Sequence, residues 1–157
     1  MPISKKLKEF LDANKVKYQV TGHPEVYTAQ EIAAALHVPG KELAKVVMVK
    51  AGDKFVMTVL PASWRIEMAK LKEVLKTKEI RLATEEEFKD FFPDCEVGAM
   101  PPFGNLYGLD VYVDKALSGE EEIFFQAGNH IESIKMKYKD YESLVKPMVA
   151  DFGIHLH

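Results

Sequence analysis

The sequence predicts an α+β fold: a mixed, strongly twisted sheet curled toward a barrel, with helices packed outside it. Three observations predict it. Two β-rich runs, LAKVVMVK (43–50) and KFVMTVLP (54–61), flank the short connector AGD and read as a hairpin. Helix and strand patterns are interspersed without regular βαβ alternation, which argues against a doubly wound parallel sheet. Two T-x-x-E capping boxes, at Thr28/Glu31 and Thr84/Glu87, mark where helices begin among the strands. The 157 residues are read as one domain, 1–157, large enough to bury a core without staples.

In chain order, Ile3, Leu7, Phe10 and Leu11 recur at helical spacing and predict an amphipathic helix over 4–14. YQVT (18–21) predicts a short strand. Thr28 opens a helix that runs to about His37 and ends before VPG (38–40). The hairpin follows. Ile66, Ala69 and Leu71 to Leu75 predict a helix over 65–76, and EIRLA (79–83) a strand. Thr84 caps a helix that Pro93 ends. LDVYVD (109–114), EEIFFQAG (121–128) and HIESIKMKY (130–138) read as strands, the last two paired around Gly128-Asn129. A final helix over 139–146 stops at Pro147.

The segment GAMPPFGNLYG, Gly98 to Gly108, interrupts this pattern. Its three glycines and two adjacent prolines exclude helix and central strand. Either it is a rigid connector, or its backbone amides turn outward toward a ligand. Two residues elsewhere raise the same question. Strict alternation puts Lys45 on one strand face with Val47 and Val49, opposite Ala44, Val46 and Met48. Lys45 therefore either snorkels to solvent or lines a cavity. His130, after Gly128-Asn129, is either structural or faces a cleft.

Composition excludes several classes. One cysteine, Cys95, rules out an internal disulfide framework and fits a reducing compartment. No apolar run approaches the ~20 residues of a membrane span, and the N-terminus lacks a signal-peptide apolar stretch, so a cytoplasmic protein with no membrane partner is expected. Cys95 as a nucleophile is disfavoured by its acidic neighbours Asp94 and Glu96. His155-Leu156-His157 is a poor metal site, and no metal or cofactor motif is present. Net charge is −3, yet residues 1–81 hold 15 basic against 9 acidic side chains and residues 82–157 hold 6 against 15. That split suits a basic face turned to a polyanion, or simply two solvated faces.

Lys45 in LAKVVMVK, Gly98 to Pro102 as G-x-x-x-P continuing into Phe103-Gly104, and AGNH at 127–130 occur together in this order. In these motifs the chain resembles the YbaK/EbsC-like aminoacyl-tRNA deacylases, relatives of the editing domain inserted in bacterial prolyl-tRNA synthetase. The resemblance runs from the first helix to about Val145. It implies a barrel-like mixed sheet and hydrolysis of the ester joining a wrong, small amino acid to a tRNA 3′ end. It implies that Lys45 is required and that backbone around Gly98, Ala99 and Met100 stabilises the ester's oxyanion. It further implies that Pro101, Pro102, Phe103, Gly128, Asn129 and His130 bound the substrate pocket. The partners implied are mischarged tRNA and a synthetase; no cofactor is implied. A basic face of Lys70, Lys72, Lys76, Lys78 and Arg81 is expected to meet the acceptor stem. A non-catalytic module binding tRNA, a nucleotide or an amino acid on the same fold is the alternative.

Overall fold

The hairpin organises the molecule. The structure, a computed structural model describing residues 2–156, pairs β2 (Ala44–Ala51) antiparallel with β3 (Lys54–Pro61) along their whole length. Gly52 opens the two-residue turn with φ +62°, the sign a hairpin turn of this length requires and a side chain resists. Before it come α1 (Lys5–Ala13), β1 (Tyr18–Gly22) and α2 (Ala29–Leu36). The predicted capping box of α2 is complete: Glu31 N–H donates to Thr28 Oγ1, and Thr28 N–H to Glu31 Oε1, both at 3.1 Å.

After the hairpin come β4 (Trp64–Ile66), α3 (Met68–Leu75), β5 (Ile80–Leu82), α4 (Glu85–Phe88), β6 (Val111–Asp114) and α5 (Lys115–Ser118). The chain continues through β7 (Glu122–Gln126), β8 (Glu132–Lys137), α6 (Tyr138–Val145), β9 (Met148–Ala150) and β10 (Gly153–His155). Five strands form a mixed sheet in the order β5-β2-β3-β6-β9, with β6 parallel to both neighbours. Three more form the sheet β1-β8-β7, and β10 pairs with β4. A parallel bridge from Leu43 to Phe124 links the start of β2 to β7.

The main core lies between the five- and three-stranded sheets. Ala44, Met48, Met57, Val59, Val111 and Val113 meet Ile123, Phe125, Ile134 and Met136, closed by Leu7 and Leu11 of α1 and Tyr141 of α6. On the opposite face Val49, Val56 and Leu60 meet Leu71 of α3 and Phe152. The alternation read from β2 therefore serves two cores, one on each side of the sheet.

Four expectations need correction. Residues 65 and 66 belong to a strand, because Trp64–Ile66 finds a partner in β10, and the helix starts only at Met68 after Glu67 caps it. The helix opened by Thr84 is one turn long and passes into a 3₁₀ turn at Lys89–Phe91 before Pro93 is reached. Gly98–Gly108 does hold a helical turn, a 3₁₀ turn at Gly104–Tyr107 beyond the prolines. The connection between β7 and β8 is a five-residue loop rather than a tight turn, because the side chain of Asn129 builds its own. Its Oδ1 accepts from the N–H groups of Ile131 and Glu132 at 3.0 and 2.8 Å.

One buried carboxylate fastens the distal strands. Asp114 Oδ1 accepts from the N–H groups of Phe152 and Gly153 at 2.9 and 2.8 Å, and its Oδ2 from Ala116 at 2.9 Å. These three bonds satisfy a group that burial would otherwise penalise heavily.

Candidate active site

The G-x-x-x-P segment begins as a tight turn. Ala99 N–H donates to the Glu96 carbonyl at 3.0 Å, with Gly98 at φ +87° in the third position, as a type II turn demands. The five-residue loop after β7 clasps this turn from both sides. Gly128 N–H donates to Ala99 O at 2.8 Å, and Glu96 N–H donates to Gly128 O at 2.8 Å. Gly128 itself sits at φ +113°, and a Cβ there would lie 2.9 Å from the backbone nitrogen of Ser4. Only glycine fits that approach.

His130, 7% exposed, closes the turn's other side. Its Nε2 is 3.1 Å from Val97 O and its Nδ1 is 3.3 Å from Gln126 Nε2, while the Tyr27 ring tilts over it at 4.7 Å between centroids. Gly98, Ala99, Met100, Gly128, Asn129 and His130 are thereby brought together as one backbone-rich unit.

The amides of this unit are not equivalent. Ala99's is engaged in the turn. Gly98's faces the Met100 thioether sulfur at 3.3 Å, a weak acceptor that a stronger one can replace. Met100's donates to no acceptor among the described residues. Pro101, Pro102 and Phe103 are buried, and Phe103 is fully so, its ring 5.2 Å from Tyr141 and 5.5 Å from Phe125. Tyr141 Oη donates to Pro102 O at 2.7 Å. Phe103 therefore anchors the loop in the core instead of touching a ligand, and the Asn129 side chain is engaged in shaping its own loop.

Lys45 stands on β2, two residues after the Leu43 that bridges to Phe124. It is half-buried, its ammonium makes no ion pair or hydrogen bond among the described residues, and it lines a cavity of about 280 Å³. Burial pulls its ammonium below the ordinary 10.5. The sequence left surface and cavity open for this lysine; it lines a cavity. No hydrogen bond or ion pair ties it to the Gly98 turn.

Sequence reasoning missed a polar cluster behind the turn. Ser4 Oγ donates to Asp94 Oδ2 at 2.5 Å and lies 3.0 Å from Tyr107 Oη, which donates to Asp94 Oδ1 at 2.8 Å. Burial alone would raise the Asp94 carboxyl, but the bonds from Ser4 and Tyr107 outweigh it and hold it below its ordinary range. Burial, with Asp94 beside it, pushes the Cys95 thiol up to about 12, which removes it as a nucleophile. The one local signal for the cluster is Ser4, whose Oγ accepts from Leu7 N–H at 3.2 Å as the N-cap of α1. Among the described residues no group of three His, Cys, Asp or Glu side chains is placed to hold a metal. His155 packs edge-on against Trp64, and His157 lies outside the described residues. Among those residues no helix is long and apolar enough to cross a membrane.

Known proteins share this fold. The structure of hypothetical protein APE2540 superposes with a TM-score of 0.85 at 21% identity, over 96% of this chain and 100% of the other. A candidate trans-editing enzyme for prolyl tRNA synthetase superposes with a TM-score of 0.83 at 22% identity, over 98% of both chains. The family model described as the aminoacyl-tRNA editing domain matches residues 23–144. The chain belongs to that family. Among curated relatives, the proline–tRNA ligase of Thermotoga maritima is 29% identical over 153 residues, 85% of this chain and 26% of the ligase. That of Bacillus subtilis is 32% identical over 94 residues, 60% of this chain and 16% of the ligase. The chain thus spans about a quarter or less of the length of the ligases it matches.

Proposed function

We propose that the chain acts in trans to hydrolyse the ester joining a wrongly attached small amino acid to tRNA. Alanine on proline tRNA is the preferred pair, with serine and cysteine the alternatives of similar size. The observation that carries this reading is the braced turn at Gly98. Among the described residues its N–H meets only a thioether, and the N–H of Met100 meets no acceptor. Fixed amides of this kind suit a carbonyl oxygen that gains charge as the ester is attacked.

An aminoacyl ester is already activated, so the protein's task is mainly to orient it and stabilise the oxyanion. Attack by water, or by way of the neighbouring ribose hydroxyl, releases the amino acid and leaves the tRNA 3′ hydroxyl. Lys45 is assigned to the carbonyl or to the terminal ribose and phosphate. His130 shapes the pocket by holding the turn. A second sieve is useful because a synthetase pocket rejects one missing methylene by only ~1–3 kcal/mol.

The acceptor-stem face is narrower than the five residues the sequence suggested. Lys70 is paired with Asp151 at 3.2 Å, and Arg81 holds Glu87 through two bonds of 2.7 Å. Lys72, Lys76 and Lys78 remain exposed and are assigned to the phosphates.

The test is a panel of mischarged tRNAs followed by loss of the attached amino acid. Release from alanyl-tRNA of the proline type, falling by about 10²–10³ in Lys45→Ala, is expected. Tight binding with no release from any tRNA would replace this reading with the binding module.

A further inference from the structure

Asp94 stands two residues ahead of Glu96, where the Gly98 turn begins, and its carboxylate reaches two distant parts of the chain. Oδ2 accepts the Ser4 hydroxyl at 2.5 Å and the Lys6 N–H at 3.4 Å, and Oδ1 accepts the Tyr107 hydroxyl at 2.8 Å. Each hydroxyl has one proton to give, and both protons go to this one carboxylate, one to each oxygen. Burial opposes ionisation, yet the Ser4 and Tyr107 bonds hold the carboxyl below its ordinary range, so both oxygens accept. Tyr107 closes the 3₁₀ turn near the far end of the Gly98–Gly108 loop. One carboxylate therefore ties the residues ahead of that loop to the residues that end it.

The bond to Ser4 leads back to the Gly98 turn. Ser4 is buried and caps α1, whose first turn has no acidic side chain and carries Lys5 and Lys6. Asp94 supplies, from elsewhere in the chain, the anion that a helix start favours. Ser4 N–H donates to Ala127 O at 2.7 Å. The next residue, Gly128, donates to Ala99 O and accepts from Glu96 N–H, each at 2.8 Å. The bonds close a ring: Asp94 to Ser4, Ser4 to Ala127, Gly128 to Ala99, and along the chain to Asp94 again. The ring has no slack at Gly128, where an added Cβ would come within 2.9 Å of the Ser4 nitrogen. A shift of Ser4 is passed to the clasp because packed backbone leaves no room to absorb it.

We propose that Asp94 is the positioning residue of the Gly98 turn, acting through Ser4 to hold the Gly98 and Met100 amides where the carbonyl oxygen of the ester will lie. The ester comes from the deacylase reading, on which this part of the proposal rests; the ring of bonds does not depend on it. Asp94 touches no substrate atom, since its oxygens are taken by Ser4, Lys6, Cys95 and Tyr107. Asparagine in its place offers one acceptor oxygen to two hydroxyls, so one link opens while size and shape remain. Amides aimed at a developing charge lose their effect when misplaced, on the order of 10²-fold for about 1 Å.

The experiment compares the intact wild-type chain with Asp94→Asn by amide hydrogen exchange and by deacylation of alanyl-tRNA of the proline type. Exchange at the Ala99 and Gly128 amides is expected to speed up about tenfold or more, with the paired amides of β2 and β3 unchanged. kcat is expected to fall about 30-fold or more while KM changes less than about threefold, as for a group that acts only as charge develops. Ser4→Ala, which removes the link and spares the carboxylate, should reproduce both effects, and it carries the test if Asp94→Asn does not fold. The double variant should lose no more than the worse single variant, because both break one link. Unchanged exchange at Ala99 and Gly128, or additive losses in the double variant, overturns the proposal. So does exchange that rises equally in the hairpin, or a loosened turn with kcat intact. A turn loosened by Asp94→Asn in a chain that releases no amino acid from any tRNA keeps the ring of bonds and removes the deacylase reading.

Discussion

His130 holds the peptide ahead of Gly98 by its ring: Nε2 lies 3.1 Å from the carbonyl oxygen of Val97. A carbonyl only accepts, so Nε2 carries the proton, and Nδ1 receives a bond from the Gln126 amide at 3.3 Å. With both nitrogens engaged, the ring is a brace. His130→Ala is expected to lower kcat/KM by roughly tenfold to a hundredfold through loss of positioning. His130→Gln should leave the shape of the pH–rate profile between pH 6 and 8 unchanged. Loss of a titrating limb in that variant would make the ring a general base instead.

Gly98 and Gly128 should separate catalysis from folding. An added Cβ at Gly98 has room, its nearest contact being His130 Cε1 at 3.6 Å, so the cost is the positive φ alone, about 1–2 kcal/mol. That corresponds to a Tm lower by roughly 2–8 °C, while turnover should fall at least ~100-fold as the amides shift. At Gly128 the clash with the Ser4 backbone adds to the strain, and about 3 kcal/mol or more is expected from urea unfolding. If Gly98→Ala loses stability and activity in the same proportion, the turn is merely structural.

Cys95 should be inert in the folded protein. With its thiol pushed up to about 12, the thiolate fraction at pH 8 is roughly one part in ten thousand. Iodoacetamide is therefore expected to modify the native protein negligibly at pH 8 and the urea-unfolded chain readily, read by mass spectrometry. Cys95→Ala should retain deacylation.

The Arg81–Glu87 clasp sets a pH window. The hydrogen bonds from Arg81, with the Thr84 N–H, bring the half-buried Glu87 carboxyl from an ordinary 4.5 down to about 2. A depressed folded value stabilises the fold above the unfolded value, and that contribution disappears as pH falls from about 4.5 through about 2. An NMR titration should place the Glu87 midpoint near the lower figure in the wild type and closer to the upper one in Arg81→Ala. An unshifted wild-type midpoint would show that the clasp does not persist in solution.

The readable parts of the fold are those whose signals are local. The β-rich run LAKVVMVK, joined by AGD to a second such run, was enough to place β2. Thr28 and Glu31 cap a helix through atoms three residues apart. What was illegible depends on distant partners: Trp64–Ile66 is a strand only because β10 arrives some ninety residues later in the chain. The site divides the same way. Glycine and proline spacing singled out Gly98–Pro102, but that Phe103 faces the core depends on Tyr141 and Phe125. Arg65 carried no motif; it comes to line a cavity with Lys45 because β4, paired with β10, lies beside β2 in three dimensions.

The bonds from Ser4 N–H to Ala127 O and from Gly128 N–H to Ala99 O join three segments far apart in the sequence around one turn. During synthesis, residues 96 to 99 leave the ribosome well before their clasp exists. A growing chain holds the G-x-x-x-P sequence without the shape until the loop after β7 emerges and closes on it. The clasped turn therefore closes only after Gly128 has emerged, when the β2–β3 hairpin can already have formed.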